Sequence, residues 1–256
     1  MVSFDRLLAF DTSTDVMSIA VGRTVDGVAQ LWEHTAAGGA QASASLIPAI
    51  MDLMAQAKLG FADLDAIAFG CGPGAFTGLR TACSVAQGLA FGARPDSHGP
   101  GVPVLPVDSL LALAEEARHQ TAPGLGALRV LAMLDARMDE IYAASFAYDG
   151  GRWKQQHSYP LGEPQSLVLP DADWSPASSL LAGNVFAAYG ARLQLDPALP
   201  RVSALPTAGA MLRLAPALLA AGCAVRPEQA LPTYIRDKVA QTTAERAANR
   251  AAPPTA

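Results

Sequence analysis

Two short stretches hold the residues whose types and spacing could do chemistry. Gly70 to Arg80 reads GCGPGAFTGLR, with four glycines and Pro73 in eleven residues. An apolar run, Leu64 to Phe69, precedes it, and a small-residue helical pattern, Leu79 to Phe91, follows. The pattern is strand, glycine-rich turn, helix. Glycine tolerates positive φ and close backbone approach, and Pro73 holds its own φ near −65°. Such a turn aims backbone N–H groups from a helix N-terminus. It is either a seat for phosphate or another anion, or a tight crossover with something packed on its backbone. The second stretch is Asp11-Thr12-Ser13-Thr14, directly after a buried apolar run. A carboxylate followed by hydroxyls can hold a metal-bound nucleotide phosphate. The same residues also close a hairpin as an Asx or Ser/Thr turn. If the two loops face one cleft, Asp11, Thr12, Gly72 and Gly74 form a candidate nucleotide site.

Other chemistry finds less support. A Walker P-loop needs a lysine followed by Ser or Thr at the helix start, where this chain has Gly78-Leu79-Arg80. The spacing does not fit a dinucleotide fingerprint either. His34, His98, His119 and His157 are isolated, with no pair four residues apart on a helix, so the helical zinc arrangement is missing. Ser13, Ser43 and Ser45 have no visible histidine partner for nucleophilic catalysis. Cys71, Cys83 and Cys223 lack zinc-like spacing and read as small core residues. Asp135, Arg137, Asp139 and Glu140 crowd a strand end, as a solvated hairpin rim or an interface patch.

Elements must position these groups. Leu7–Phe10, Met17–Val21 and Val28–His34 read as three antiparallel strands, turned at Gly22 and at Asp26-Gly27. Gln41 to Lys58 is helical, with Leu46, Ile47, Ile50, Met51, Leu53, Met54 and Ala57 in three- and four-residue steps. Pro48 starts or kinks that helix, and Gly60 is placed to end it. The stripe is wider than one sheet-facing surface needs. The helix after the glycine turn is nearly bare, with Ala82, Cys83, Ser84, Ala86, Gly88 and Ala90. It packs on its own sheet or, with the Met-bearing first helix, forms a surface for a partner helix. Val102–Val107 is an edge strand, and Asp108 or Ser109 caps a helix over Leu110–His119. Strands follow at Arg129–Asp135, Glu140–Tyr148 and Arg152–Tyr159, repeating the opening order, with Asp135 placed as Asp11 was. Residues 160–206 are loop-rich apart from a strand at Leu180–Ala182. A helix spans Ala208–Ala221 with Pro216 inside it. Tyr234 and Arg236, in LPTYIRDK, are an aromatic anchor and a cation able to dock on the first domain. The division is residues 1–107, residues 108–238, and a disordered tail, 239–256.

With 256 residues, 51% hydrophobic and 16% charged, the chain can bury a sizeable core. A net charge of −5 argues against unaided tight binding to nucleic acid. No apolar run approaches 18 residues, so no membrane span is expected. The N-terminus lacks the basic start and long apolar centre of a signal peptide, and the chain reads as cytoplasmic.

Assembled, these residues resemble the TsaB family, also called YeaZ. The matching pieces are LLAFDTST at 7–14, the helix around Leu46-Ile47-Pro48, GCGPGAFTGLR at 70–80 and AQGLAFGA at 86–93. Others are Val107-Asp108-Ser109-Leu110, LAMLDARMDEIY at 131–142 and PTYIRDKVA at 232–240. The resemblance implies an α/β fold of the actin, sugar-kinase and Hsp70 type with two related domains and mixed sheets. It implies a non-catalytic subunit in making threonylcarbamoyladenosine beside tRNA anticodons. The partner is a catalytic paralog of the TsaD type, joined by a TsaE-type ATPase. ATP and a divalent metal then belong to the partner subunits, tRNA is met through the complex, and a homodimer is open to the chain alone. Asp11, Thr12, Gly72 and Gly74 become a vestigial nucleotide site. Family members often carry a histidine near the position of Ala42, which weakens any metal role here. The expected partner surface is Leu46, Ile50, Met51, Met54, Leu79, Cys83 and Ala86. The rival functions are an ATP-dependent small-molecule kinase or ATPase of the same fold and, with less support, a zinc peptidase.

Overall fold

The computed structural model describes residues 6–93, 101–121, 123–169 and 174–236. Of the Pro- and Gly-bearing stretch 94–101, read from sequence as a loop, all but Gly101 lies outside them, as does the tail at 239–256. Strands β1 (Arg6–Asp11), β2 (Val16–Val25) and β3 (Val28–Ala37) form an antiparallel meander, with Asp26 and Gly27 at positive φ in the tight turn. Helix α1 (Ala42–Ala57) follows and carries Pro48 inside it. Gly60 does not end this helix. Lys58 takes the left-handed conformation (φ 55°) two residues earlier, and the Leu59 N–H bonds back to Met54 O. Gly60 instead donates its N–H to Asp63 Oδ2.

Strand β4 (Ala66–Gly72) lies parallel to β1, and helix α2 (Phe76–Gly92) begins three residues before the expected Leu79. Gly70 and Gly72 belong to the strand, because β4 pairs onward to Asp108 in β5 (Val104–Asp108). Asp108 Oδ1 accepts the Leu111 N–H at 2.8 Å and so caps α3 (Ser109–Thr121). The second meander is β6 (Ala127–Arg137), β7 (Glu140–Asp149) and β8 (Arg152–Ser158). After it come β9 (Ser179–Gly183), the one-turn α4 (Phe186–Tyr189), β10 (Arg201–Ser203) and α5 (Ala208–Ala220). No periodicity announced α4 or β10; both are too short to show a pattern.

The sheets run β3-β2-β1-β4-β5 and β8-β7-β6-β9-β10, the same order twice, each an antiparallel meander extended by parallel strands. This is a two-domain α/β fold of the actin, sugar-kinase and Hsp70 type. Helices α1 and α2 cover the outer face of the first sheet, burying Leu46, Ile50, Ala82 and Ala86 against Phe10, Ile67 and Phe69. Helix α5, which the sequence places in the second domain, packs instead on the inner face of the first sheet, through Met211, Leu214 and Ala215. Helix α3 lies beside it and turns Leu110, Leu113 and Ala117 to the second sheet. The molecule is thus layered, with α3 and α5 between the sheets. Among the described residues no helix is long and apolar enough to cross a membrane.

Cysteine placement splits. Cys71 and Cys83 are buried, as expected, but Cys223 is exposed. Gly222 (φ 76°) turns the chain away at the end of α5 and leaves Cys223 facing solvent.

Two glycines of α2 make opposite demands. A Cβ on Gly78 would fall 1.7 Å from Thr12 O, whereas one on Gly88 meets nothing within 4 Å. Gly78→Ala is expected to lower unfolding free energy by at least about 2–3 kcal/mol, and Gly88→Ala to raise it by about 0.5–1 kcal/mol. Urea titration of the two variants checks this; equal effects would refute the close-approach account.

Candidate functional site

The two motifs do meet, but as packing partners. The side chain that Gly70 lacks would occupy the space of Asp11 Oδ2 (1.8 Å from where a Cβ would lie), that of Gly78 the Thr12 carbonyl, and that of Gly74 Ser13 (2.5 Å). Three successive residues, the last of β1 and the first two of the β1–β2 loop, therefore fill three glycine positions. Thr12 Oγ1 donates to Gly78 O at 2.7 Å, and Ala75 N–H donates to Ser13 O at 2.7 Å. Asp11 is fully buried. Its Oδ1 accepts Ser13 N–H (2.8 Å) and Ser13 Oγ–H (2.7 Å), while Oδ2 is buried with no hydrogen-bond partner. Burial pushes its carboxyl up to about 6, against the opposing Ser13 bonds. Asp108, at the end of β5, is likewise raised to about 6 by burial, despite bonds from Leu111 and Leu110. Between them on β4, burial and then the Asp108 charge push the Cys71 thiol up to about 12, so it is no nucleophile.

The second repeat copies this loop. Arg137 N–H donates to Asp135 Oδ1 at 2.8 Å, as Ser13 does to Asp11. Arg137, Met138 and Asp139 are all left-handed at the β6–β7 tip. The charges there pair within the chain: Arg137 with Asp15 across the lobes, Arg192 with Asp139 (3.1 Å), and Arg236 with Glu140. Tyr189 donates its hydroxyl to Asp135 at 3.0 Å.

Between the loops lies a cleft lined by Ser13, Thr14, Asp15 and Gly74 on one side and by Asp135, Arg137, Tyr142 and Asn184 on the other. Its volume is about 70 Å³, well below the roughly 300–1,000 Å³ of small-molecule sites. Of the four residues expected at a nucleotide site, only Gly74 lines it. Asp11 and Thr12 lie beneath the loop, and Gly72 (φ 120°) is covered by Thr233 O. The cleft residues Asp15, Tyr142 and Asn184 were not singled out from sequence. The match of Asp135 to Asp11 by position was the available signal for the second loop.

The C-terminal segment spans both lobes. Thr233 N–H donates to Cys71 O at 2.6 Å, and Gln87 donates to Ala230 O at 2.9 Å. Tyr234 stacks on Phe76 (5.0 Å) and accepts from Arg80 Nε at 3.0 Å. Arg236 then reaches Arg137 O at 3.3 Å.

The residues expected at a partner surface need correcting. Leu46, Ile50, Met54, Leu79, Cys83 and Ala86 are all buried inside the chain, on the sheet-facing sides of α1 and α2. A charge at Cys83 or Ala86 would enter the core rather than a contact. Met51 alone of the seven is exposed, at 54%, with Ile47 beside it at 46%. The outer faces also present Ala44, Ala55, Ser84 and Gly88. A broad apolar stripe on α1 therefore divides into a buried inner part and an outer ridge, and the outer side of α2 carries Ser84 and Gly88 between Arg80 and Phe91.

The model of a family described as "TsaD: tRNA N6-adenosine threonylcarbamoyltransferase" matches residues 29–167. The tRNA threonylcarbamoyladenosine biosynthesis protein TsaB of Escherichia coli is 33% identical, covering 92% of this chain and 96% of its own length. That of Haemophilus influenzae is 31% identical, covering 91% of this chain and 94% of its own. A solved structure of YeaZ from Pseudomonas aeruginosa superposes with a TM-score of 0.75 at 37% identity, covering 90% of this chain and 99% of that one. Likeness of this extent spans both lobes, both loops and the helix layer, and the chain belongs to the TsaB (YeaZ) family.

Proposed function

We propose that the chain is a supporting subunit, without chemistry of its own, for the threonylcarbamoylation of tRNA by a TsaD-type catalytic paralog. It docks on that paralog through the outer faces of α1 and α2, around Met51, Ile47, Ser84 and Gly88. A TsaE-type ATPase joins the pair, ATP and a divalent metal belong to those partners, and tRNA is met through the complex. In this reading the chain works in the cytoplasm and docks through the lobe formed by residues 1–107. The observation that carries it is the fate of the nucleotide motif. Asp11 and Thr12 are consumed in packing against Gly70 and Gly78, and the remaining cleft is too small for a nucleotide. Among the described residues no group of three or more His, Cys, Asp or Glu side chains could hold a metal ion. The relatives named for tRNA threonylcarbamoyladenosine biosynthesis supply the pathway.

Helix faces of small residues permit close helix–helix approach, and an exposed apolar ridge in a monomer marks an interaction surface. Met51→Glu combined with Ser84→Arg alters only outer positions. The double variant should keep its unfolding free energy from urea titration, within about 0.5 kcal/mol, yet bind the purified paralog at least tenfold more weakly by calorimetry. Unchanged affinity would remove the α1–α2 face from the proposal.

Asp11 separates the scaffold reading from an ATP-using one. With the paralog, TsaE-type ATPase, threonylcarbamoyl-adenylate and tRNA, modification should require this chain and survive Asp11→Asn. Loss of modification by a folded Asp11→Asn chain would favour chemistry at this carboxylate.

The same substitution has a signature in stability. The Asp11 carboxyl is raised in the fold from 3.8 to about 6. Its protonated form is therefore favoured in the folded state. Stability is full below about pH 4 and falls as pH rises through 6, by up to about 3 kcal/mol for a shift of this size. Asp108 adds a slope of the same sign. Asp11→Asn should remove about half of the decline between pH 4 and 7 in urea denaturation. A variant with the wild-type slope would contradict the burial account.

A further inference from the structure

A second cavity lies on the opposite side of the lobe seam from the cleft and plays no part in the reading above. It has a volume of about 490 Å³ and opens between α3, α5 and the β7–β8 hairpin, within the size range of small-molecule sites. Its floor is apolar: Leu111 from α3, with Leu214, Ala217 and Leu218 from α5. Tyr148 and Trp153 form an aromatic wall, their rings 5.1 Å apart. Charged groups stand at one side, and nearly all are matched. Glu115 accepts from Arg118 Nε (2.8 Å) and Nη2 (2.9 Å), from Arg213 Nε (2.9 Å) and from Trp153 Nε1 (3.0 Å). Arg213 also donates to Glu116 at 2.6 Å. Two arginines thus balance two glutamates. Burial alone would raise Glu115, yet the bonds from Arg118 and Trp153 hold it below the usual carboxylate range, so it stays charged and fixed. The guanidinium of Arg152, which lines the same cavity, has no ion-pair partner among the described residues.

From this arrangement we propose that the cavity binds a small amphipathic monoanion. The ligand carries a flat aromatic or branched apolar body between Tyr148, Trp153 and the α5 leucines, and one carboxylate-type group at Arg152. The apolar floor supplies burial, and the aromatic wall supplies stacking geometry. The Glu115 network fixes the wall, since it holds the Trp153 ring by its N–H and is itself held from both α3 and α5. A planar anionic head suits Arg152, because a guanidinium pairs with a carboxylate through two parallel hydrogen bonds. A cation is disfavoured by the uncompensated charge, and a dianion has only one free partner. The site is independent of the α1–α2 docking face, so each proposal stands or falls by itself.

The test uses the full chain and 2-naphthoate as probe, with 2-naphthamide as its uncharged match, in isothermal titration calorimetry. Two variants accompany it, Arg152→Glu and Ala217→Trp, both at exposed positions, with thermal melts recorded to show that they fold. The wild-type chain should bind 2-naphthoate saturably at one site, with the amide at least tenfold weaker. Arg152→Glu should weaken naphthoate at least tenfold and leave the amide unchanged, and Ala217→Trp should abolish both. Absence of saturable naphthoate binding, equal affinity for acid and amide, or binding untouched by both folded variants would each overturn the proposal.

Discussion

Helix α2 approaches the residue after β1 so closely at Gly78 that a methyl group there would sit 1.7 Å from the Thr12 carbonyl oxygen. Gly70 and Gly74 admit Asp11 and Ser13 in the same way, so the end of β1 and the loop after it are seated in three missing side chains. This contact sets the height of α2 over the sheet. Once it is set, Leu79, Ala82, Cys83 and Ala86 must point into the core, and Ser84 and Gly88 must point out. The outer ridge of the helix layer, and with it the proposed docking face, follows from glycines that were first legible as a phosphate turn.

The carboxylates of the chain divide by how many donors reach them. Asp11 receives two bonds on one oxygen and none on the other, and burial wins: its carboxyl is raised. Glu115 is 3% exposed yet receives four donors, two of them from a bidentate arginine, and it is lowered. Desolvation of a charge is repaid only when its lone pairs are fully matched. The matched carboxylate sits in the seam between the sheets, where α3 and α5 need a fixed junction. The unmatched one sits under a loop, where Ser13 serves one oxygen and nothing offsets the burial of the other.

Most elements were legible in the sequence because their patterns are local. Apolar runs marked the strands, Asp26-Gly27 marked the hairpin, and Asp108 marked the start of α3. The repeat of strand order was visible too, and the structure extends it to the Asx turns at Asp11 and Asp135. The end of α1 was placed to within one residue, but the wrong residue was expected to stop it: Lys58, not the nearby Gly60, takes the left-handed conformation. The seam network was missed for a different reason. Glu115 and Arg118 lie three apart on one helix and could have been paired, but Arg213 is 98 residues from Glu115. The seven residues expected at a partner surface lie on α1 and α2, but six of them belong to the stripe that the fold buries.

By itself the sequence determined the kind of fold and the family, and narrowed the glycine turn to two readings, a phosphate seat or a close approach. These depend on residue type, order and short spacing. Only the tertiary structure decided that Asp11 and Thr12 are buried against glycine backbone rather than turned to the cleft, and which side of α1 and α2 is left to solvent. A helix pattern shows that an apolar stripe exists, but not which part of a broad stripe faces the sheet. That is decided by contacts between residues far apart in the chain, above all by the few ångströms between Thr12 and Gly78.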